Sequence, residues 1–342
     1  MKISFDFLYF EIFHLGIGIG LAILSCPVAI GYAFPKHSGF AMGITTSGVG
    51  LVMLTSGPIT KHLLDTYGLR GTFLFLAAIV SHIIPCGMLL RTPPNKGLTT
   101  KRKENRCEYL KDYIILFKTP AYMCVLLGSV LWNISYAVIM IHLPNYVVHA
   151  GFSKHEASFM FTAIGIGTIL PRLTIGLAIG PGGLDPLLLN FGLTALAGGL
   201  IAIFPLFITY STGPIIFASL YGVYIGGLLV FTVPLCLEMA GMDKLTSAIG
   251  LWYFFQGLGS FTGPPLAGLV FDMTGSYGSS FILAGLLTLI AAGCSLLASV
   301  WRKKSPTQQE FNSLAPEENK DKLKNSDDIS REQGQKVMSN DA

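Results

Sequence analysis

One arginine lies deep within a long apolar stretch of the sequence, where a charged side chain is costly. Arg172 occurs in the run GTILPRLTIG, inside an apolar segment that covers residues 156–180. An arginine at the centre of a membrane helix costs at least about 2.5–3.5 kcal/mol, so it usually faces a bundle interior or a wet cavity. Its planar guanidinium matches a carboxylate through two parallel hydrogen bonds. The sequence therefore favours an anion-binding arginine. The alternative is a side chain that reaches the headgroups at the helix end near Gly180.

A few other polar side chains also lie within apolar segments. His82 falls in the middle of segment 71–91, where an imidazole could relay protons near neutral pH. Asn133, Tyr136 and Tyr224 could line a pathway, and hydrogen bonding between neighbouring helices is the competing interpretation for each of them. The sequence has no cluster of metal ligands and no nucleophile beside a base. We therefore expect no metal, no cofactor and no enzymatic activity.

Nine apolar segments of roughly 20 residues must position these side chains. Only 12% of the residues are charged, against about 25% in a typical soluble domain. Segments of this length suit helices that cross about 30 Å of hydrocarbon. They fall near residues 8–33, 39–63, 71–91, 119–142, 156–180, 185–208, 213–237, 246–271 and 278–301. The expected fold class is an all-α membrane protein with about nine transmembrane helices.

Charge between the segments predicts their orientation. Residues 92–118 contain seven lysines and arginines against three acidic residues, and the tail opens with Arg302, Lys303 and Lys304. Basic loops stay in the cytoplasm, and six segments separate these two, so both can lie on that side. The predicted organisation is a partial N-terminal bundle of three helices (1–91), a cytoplasmic basic linker (92–118), a six-helix C-terminal bundle (119–301) and a disordered cytoplasmic tail (302–342).

Several stretches resemble the monocarboxylate transporters of the major facilitator superfamily. The run GPPLAGLVFDMTGSYGSSFILAG (263–285) resembles the family's pattern near its last two helices, and GYAFPKHSGFAMGITTSGVG (31–50) resembles an earlier loop and helix. IHLPNYVVHAGFSKHEASFMFTAIGIG (141–167) resembles the junction of the seventh and eighth helices. By this resemblance the first segment corresponds to the family's fourth helix. The resemblance implies a major-facilitator bundle that lacks the first three helices.

The resemblance also assigns a substrate site. The family's substrate-site arginine falls on Arg172, and its proton-linked members carry an aspartate one helical turn earlier, where this sequence has Thr168. A carboxylate four residues before the arginine could pair with it and take a proton. Threonine does not titrate, so this departure argues against proton coupling. Facilitated diffusion, symport with a proton (H+) and coupling to another ion all stay open.

These observations lead to an expected function. We expect a carrier that moves a small organic anion, such as a monocarboxylate, across the plasma membrane by alternating access. Some family members travel with a single-span accessory glycoprotein, which is a partner by analogy only; nucleic acid is not expected. The competing hypothesis is a truncated, non-transporting membrane protein or a partner-binding subunit, because a half-built bundle would leave polar surface facing lipid.

Overall fold

The chain is helical throughout the part that the computed structural model describes, residues 5–89, 106–180 and 183–302. No strand occurs in these ranges. The helices are α1 (Phe5–Ala33), α2 (Ser38–Ser81), α3 (Ile83–Leu89), α4 (Arg106–Lys118), α5 (Pro120–His149), α6 (Lys154–Ala178), α7 (Pro186–Phe207), α8 (Gly213–Leu228), α9 (Thr232–Ala240), α10 (Leu245–Thr274) and α11 (Tyr277–Trp301). The all-α fold class predicted from the sequence is therefore confirmed.

Eight helical stretches in the described residues are long and apolar enough to cross a membrane. The sequence predicted nine such segments. The difference is α10, which forms a 30-residue helix over the predicted segment 246–271 but is not among these eight candidate spans. Its glycines have a packing role, because a Cβ at Gly259 would lie 2.5 Å from the carbonyl oxygen of Val130 on α5. Glycine lets the two backbones approach closely, at the cost of hydropathy.

The predicted segments 39–63 and 71–91 are joined by a break within α2. Gly68 has φ 64° and ψ −175°, in a region that glycine adopts far more readily than other residues. The two candidate spans here are Pro35–Gly57 and Ile59–Leu89, and the second includes α3. In the same way, a short 3₁₀ turn over Leu229–Phe231 connects α8 to α9, and together they give one candidate span, Gly213–Ala240.

The helices pack in two main groups. Helix α11 packs against α5 and α7, α10 packs against α5, and α6 lies between α2 and α8. Small residues allow the closest crossings: a Cβ at Gly285 on α11 would lie 2.6 Å from the backbone nitrogen of Ala202 on α7. Close backbone contact of this kind is how helices associate in lipid, where apolar burial gives little driving force.

The C-terminal end of α1 packs on α9 and α10. Tyr32 hydrogen-bonds Thr246 at 3.1 Å, and a Cβ at Gly31 would meet the side chain of Leu245. Near the other end of the same helix, Gly16, Gly18 and Gly20 have no atom of another element close enough to meet an added Cβ. Helix α1 therefore contacts α9 and α10 mainly through its last turns.

The predicted linker 92–118 contains a helix. Residues 106–118 form α4, which packs against α5 and α10. Asp112 and Leu116 are buried, and the ring of Phe117 meets that of Phe255 on α10. The rest of that linker, and the predicted tail from residue 303 onward, lie outside the described residues. Arg302, where that tail was predicted to start, ends the described part and forms ion pairs with Asp185 and Glu238.

Candidate functional site

Arg172 is enclosed by protein at the contact between α6 and α2. Its side chain is 1% exposed, and Nη1 donates a hydrogen bond to the backbone carbonyl oxygen of Thr46 on α2. Its Nε is buried and has no hydrogen-bond partner. In this structure the guanidinium therefore does not extend to the end of its helix. It lies between two helices, with part of its hydrogen-bonding capacity unused.

Glycines on both helices bring α2 and α6 this close together. We call this contact the α2–α6 seam; it consists of Gly39, Gly43 and Gly50 on α2 with Gly165 and Gly176 on α6. A Cβ at Gly43 would lie 2.3 Å from the carbonyl oxygen of Arg172, and one at Gly176 would lie 2.7 Å from the carbonyl oxygen of Gly39. Any larger side chain at these positions would push the helices apart. The seam therefore sets the distance between Arg172 and Thr46.

Thr168 lies in the same seam, one turn before Arg172. It is fully buried, and its hydroxyl donates to the carbonyl oxygen of Gly165 at 2.9 Å. On its other side, a Cβ at Gly226 of α8 would lie 2.7 Å from the carbonyl oxygen of Thr168. No carboxylate forms an ion pair with Arg172 within the described ranges. The position that could hold a counter-ion holds a hydroxyl that is bonded within its own helix.

Helix α5 carries a pair of stacked aromatic residues, one of which is close to Arg172. Tyr136 is half-buried and lies within electrostatic range of the Arg172 guanidinium. Trp132, one turn earlier, stacks on Tyr136 with ring centroids 5.4 Å apart. Trp132 is not among the residues that we expected from the sequence to form the site. Its spacing of four residues from Tyr136 places both rings on one helix face, which is the signal that could have found it.

The other predicted site residues make different contacts. Asn133 is buried between α5 and α10, where Nδ2 donates to the carbonyl oxygen of Ser129 at 2.8 Å and Oδ1 accepts from Ser260 at 3.4 Å. Tyr224 packs against the apolar cluster that contains Phe217. No hydrogen bond between described residues joins either side chain to Arg172. The pattern at Asn133 is that of an interhelical contact, and a substrate role for these two residues stays a prediction.

His82 lies apart from this group. It is exposed at the break between α2 and α3, and its Nδ1 is 3.0 Å from the carbonyl oxygen of Ala78 in the preceding turn. A bond within the same helix end satisfies one ring nitrogen. The role of His82 as a proton relay stays a prediction.

A small cavity lies inside the C-terminal half of the chain. It is about 30 Å³, room for a water molecule or two. Polar side chains from α5, α7 and α11 reach it, and Asn190 donates to Ser295 there at 2.9 Å. The indole nitrogen of Trp252, another lining residue, is buried without a partner. Its lining residues are Val125, Gly128, Ser129, Trp132, Asn190, Thr194, Leu228, Trp252, Gln256, Ala291 and Ser295. Trp132 lines this cavity and also stacks on Tyr136.

Comparison with known families agrees with this fold. The family model described as Major Facilitator Superfamily matches residues 4–244 and 215–338. The chain therefore belongs to the major facilitator superfamily, and it is an integral membrane protein.

Comparison with curated proteins gives a narrower class. The chain is 25% identical to monocarboxylate transporter 12 of Rattus norvegicus, over 86% of this chain and 67% of that protein. It is 27% identical to monocarboxylate transporter 13 of Bos taurus, over 85% and 67%. It is 29% identical to monocarboxylate transporter 11 of Homo sapiens, over 82% and 62%. The family resemblance read from the sequence is confirmed, and the chain spans about two thirds of the length of these relatives.

Solved structures give the same fold. The chain superposes on FucP, a major facilitator transporter in the outward conformation, with a TM-score of 0.62 over 80% of this chain and 71% of that one, at 13% identity. A second structure, the E. coli fucose:proton symporter FucP, gives 0.67 over 86% and 77%, also at 13% identity. These relatives are transporters and not enzymes, as the sequence predicted. The competing hypothesis of a non-transporting protein is not favoured.

Proposed function

We propose that this protein carries a small organic anion, a monocarboxylate or a related compound, across a membrane by alternating access. The observation that carries the proposal is Arg172, a buried cation whose hydrogen-bond partner is a backbone carbonyl and which has no ion pair among the described residues. A buried charge without a counter-ion is costly. A substrate carboxylate would supply the missing negative charge.

The surroundings of Arg172 support recognition of a carboxylate joined to an apolar body. The guanidinium can offer two parallel N–H groups once Nη1 leaves the carbonyl oxygen of Thr46. The hydroxyl of Tyr136, an electrostatic neighbour of Arg172, can donate a further hydrogen bond to the anion. The ring of Trp132, stacked on Tyr136, offers an apolar face to an aliphatic or aromatic substituent.

Alternating access requires two bodies that rock about the site. We propose that these are the helices within residues 1–91 and the six-helix bundle of residues 119–301, connected by the linker 92–118. The α2–α6 seam is then the contact between the two bodies beside the substrate. The basic residues after Trp301 support a cytoplasmic C-terminus. The plasma membrane as location and a single-span accessory glycoprotein as partner rest on the family resemblance.

Thr168 argues against proton symport. The residue one turn before Arg172 does not titrate, so no carboxylate at this position can take up a proton with the substrate. We therefore propose that the anion moves down its own gradient or with another ion. Uptake that is unchanged by an inward proton gradient agrees with this proposal. A steep rise in uptake with that gradient contradicts it.

The experiment is uptake of labelled lactate and pyruvate into oocytes that express the chain, with surface expression measured for every variant. We expect Arg172→Ala to lose uptake by at least about tenfold, because removing a charged hydrogen bond to a bound anion costs about 1.5–3 kcal/mol. Arg172→Lys keeps the charge but loses the paired N–H groups, so its uptake should fall between the two. Equal uptake by the native chain and Arg172→Ala would remove Arg172 from the mechanism. Absence of uptake above background by the native chain would contradict transport of these two anions.

A further inference from the structure

Helix α4 has a largely exposed apolar row, in which Phe117 also meets the ring of Phe255 on α10, with the ring centroids 6.3 Å apart. Its sequence is RCEYLKDYIILFK, and Asp112 and Leu116 are buried against the bundle. On the opposite face, Leu110, Ile114 and Phe117 are 60%, 54% and 46% exposed. These three positions are spaced by four and three residues, so they form one continuous row along the helix. A surface row of large apolar side chains indicates an interaction.

The connection of α4 to α5 fixes where this row lies. Only Thr119 separates the two helices, and it is extended, with φ −89° and ψ 103°, so the helix does not run straight on into α5. Helix α5 is a candidate membrane span from its first residue, Pro120. The end of α4 therefore lies at the level where α5 enters the bilayer.

Two exposed lysines lie beside the apolar row. Lys111 and Lys118 are seven positions apart, which places them on the same flank of the helix. Their ammonium groups cannot enter the hydrocarbon, whereas the apolar row would be costly in water. Only the boundary between headgroups and acyl chains satisfies both groups of side chains.

We propose that α4 is an interfacial helix that binds the lipid bilayer around the protein. Leu110, Ile114 and Phe117 insert at the acyl boundary, while Lys111 and Lys118 contact anionic headgroups. The lipid is the occupant that the geometry favours, because α4 is already held at the membrane surface by α5 and carries positive charge beside its apolar row. Through Leu116, the same helix is anchored to the bundle. The inference depends on the membrane-embedded fold and not on the proposed substrate.

The first test measures the depth of α4 in lipid. The full chain, with its six native cysteines replaced by serine or alanine, receives an environment-sensitive fluorophore at Ile114→Cys and is reconstituted in liposomes. The matched control carries the fluorophore at His37→Cys, an exposed residue in the turn between α1 and α2. We expect lipids brominated near the headgroup end of the acyl chain to quench the label at residue 114 at least about twofold more than the label at residue 37.

The outcome that overturns the proposal is equally specific. A label at residue 114 that aqueous iodide quenches as strongly as the label at residue 37 would place the apolar row in water, free for a soluble protein partner. Because Ile114 is exposed, its replacement leaves the packed face of α4 intact. An unchanged thermal unfolding midpoint of the labelled chain, measured in the same preparation, would confirm that the packed face is intact.

The second test addresses the lysines. In liposomes of phosphatidylcholine with phosphatidylserine, we expect the double variant Lys111→Gln, Lys118→Gln to shift the label at residue 114 towards water. Each lysine removed should lower the fraction of α4 docked on the membrane by about fivefold. In liposomes of phosphatidylcholine alone, the same double variant should behave like the native chain. The control is Lys154→Gln, at the start of α6 and away from α4. An equal effect of the double variant in both lipid mixtures would overturn the role of anionic headgroups.

Discussion

Replacing Gly43 with alanine would put a methyl group into the α2–α6 seam beside Arg172. The added Cβ would lie 2.3 Å from the carbonyl oxygen of Arg172, whereas an ordinary contact needs at least 3.4 Å, so the two helices must separate by about 1.1 Å. The obstructing atom belongs to the backbone of a helix, so no side-chain rotation can relieve the clash. The hydrogen bond from Arg172 to the carbonyl oxygen of Thr46 would be lost or re-formed in another geometry.

The expected size of the effect follows from this clash. Overpacking of a close contact costs about 1–3 kcal/mol, which disfavours the tightly packed state by about 5–150-fold. We therefore expect Gly43→Ala to lower the thermal unfolding midpoint and to lower uptake of labelled anion at equal surface expression. If this packed state is one that the carrier must visit in each cycle, the loss of uptake follows directly from its lower population.

Gly48→Ala is the matched control, because Gly48 is on the same helix and an added Cβ there meets no other atom within 4 Å. Both replacements give the same gain in helix propensity, about 0.8–1.0 kcal/mol. Their difference therefore isolates the seam. Equal unfolding midpoints and equal uptake for the two variants would refute the conclusion that close packing at the seam positions Arg172.

Three further changes test other contacts. Thr168→Asp should reduce uptake at neutral pH, because the new carboxylate pairs with Arg172. An inward proton gradient should restore the uptake of this variant, whereas uptake by Thr168→Asn should not respond to the gradient in the same assay. Asp185→Ala should lower the free energy of unfolding by about 1 kcal/mol because α7 loses its N-cap, and loss of the ion pair of Asp185 should lower it further. Asp185→Asn keeps the cap, so in a thermal unfolding experiment it should lose only the contribution of the ion pair. Ser135→Ala removes an interhelical hydrogen bond of 2.7 Å and should cost about 0.6 kcal/mol, whereas Ser25→Ala, whose hydroxyl bonds within its own helix, should unfold like the native chain.

Some features of the fold could not be read from the sequence because they depend on which residues face each other. Helix α10 was predicted as a membrane segment and forms over that range, but its close packing on α5 through Gly259 and Gly263 is visible only in the structure. Helix α4 was predicted as part of a polar linker. Its lysines raised the charge of the stretch, while the apolar row formed by Leu110, Ile114 and Phe117 becomes visible only at helical spacing.

The residues of the candidate site also differ in whether the sequence could indicate them. Arg172 could be selected from sequence, because a charge in an apolar segment is rare whatever surrounds it. Trp132 was not selected, because its four-residue spacing from Tyr136 is common in membrane helices and gains meaning only when the two rings are found stacked. Asn133 was selected for its polarity, and the structure gives it hydrogen bonds to α5 and α10 that account for a polar side chain at that position.

The sequence by itself determined that this chain is a bundle of membrane helices of one transporter class, because apolar length and family motifs are local properties of the chain. It also determined that one cation lies within an apolar segment without a titratable residue a turn before it. Only the tertiary structure decided what that cation touches. The carbonyl oxygen of Thr46 lies 126 positions away in the sequence, and it meets Arg172 because glycines on two separate helices allow their backbones to come into contact.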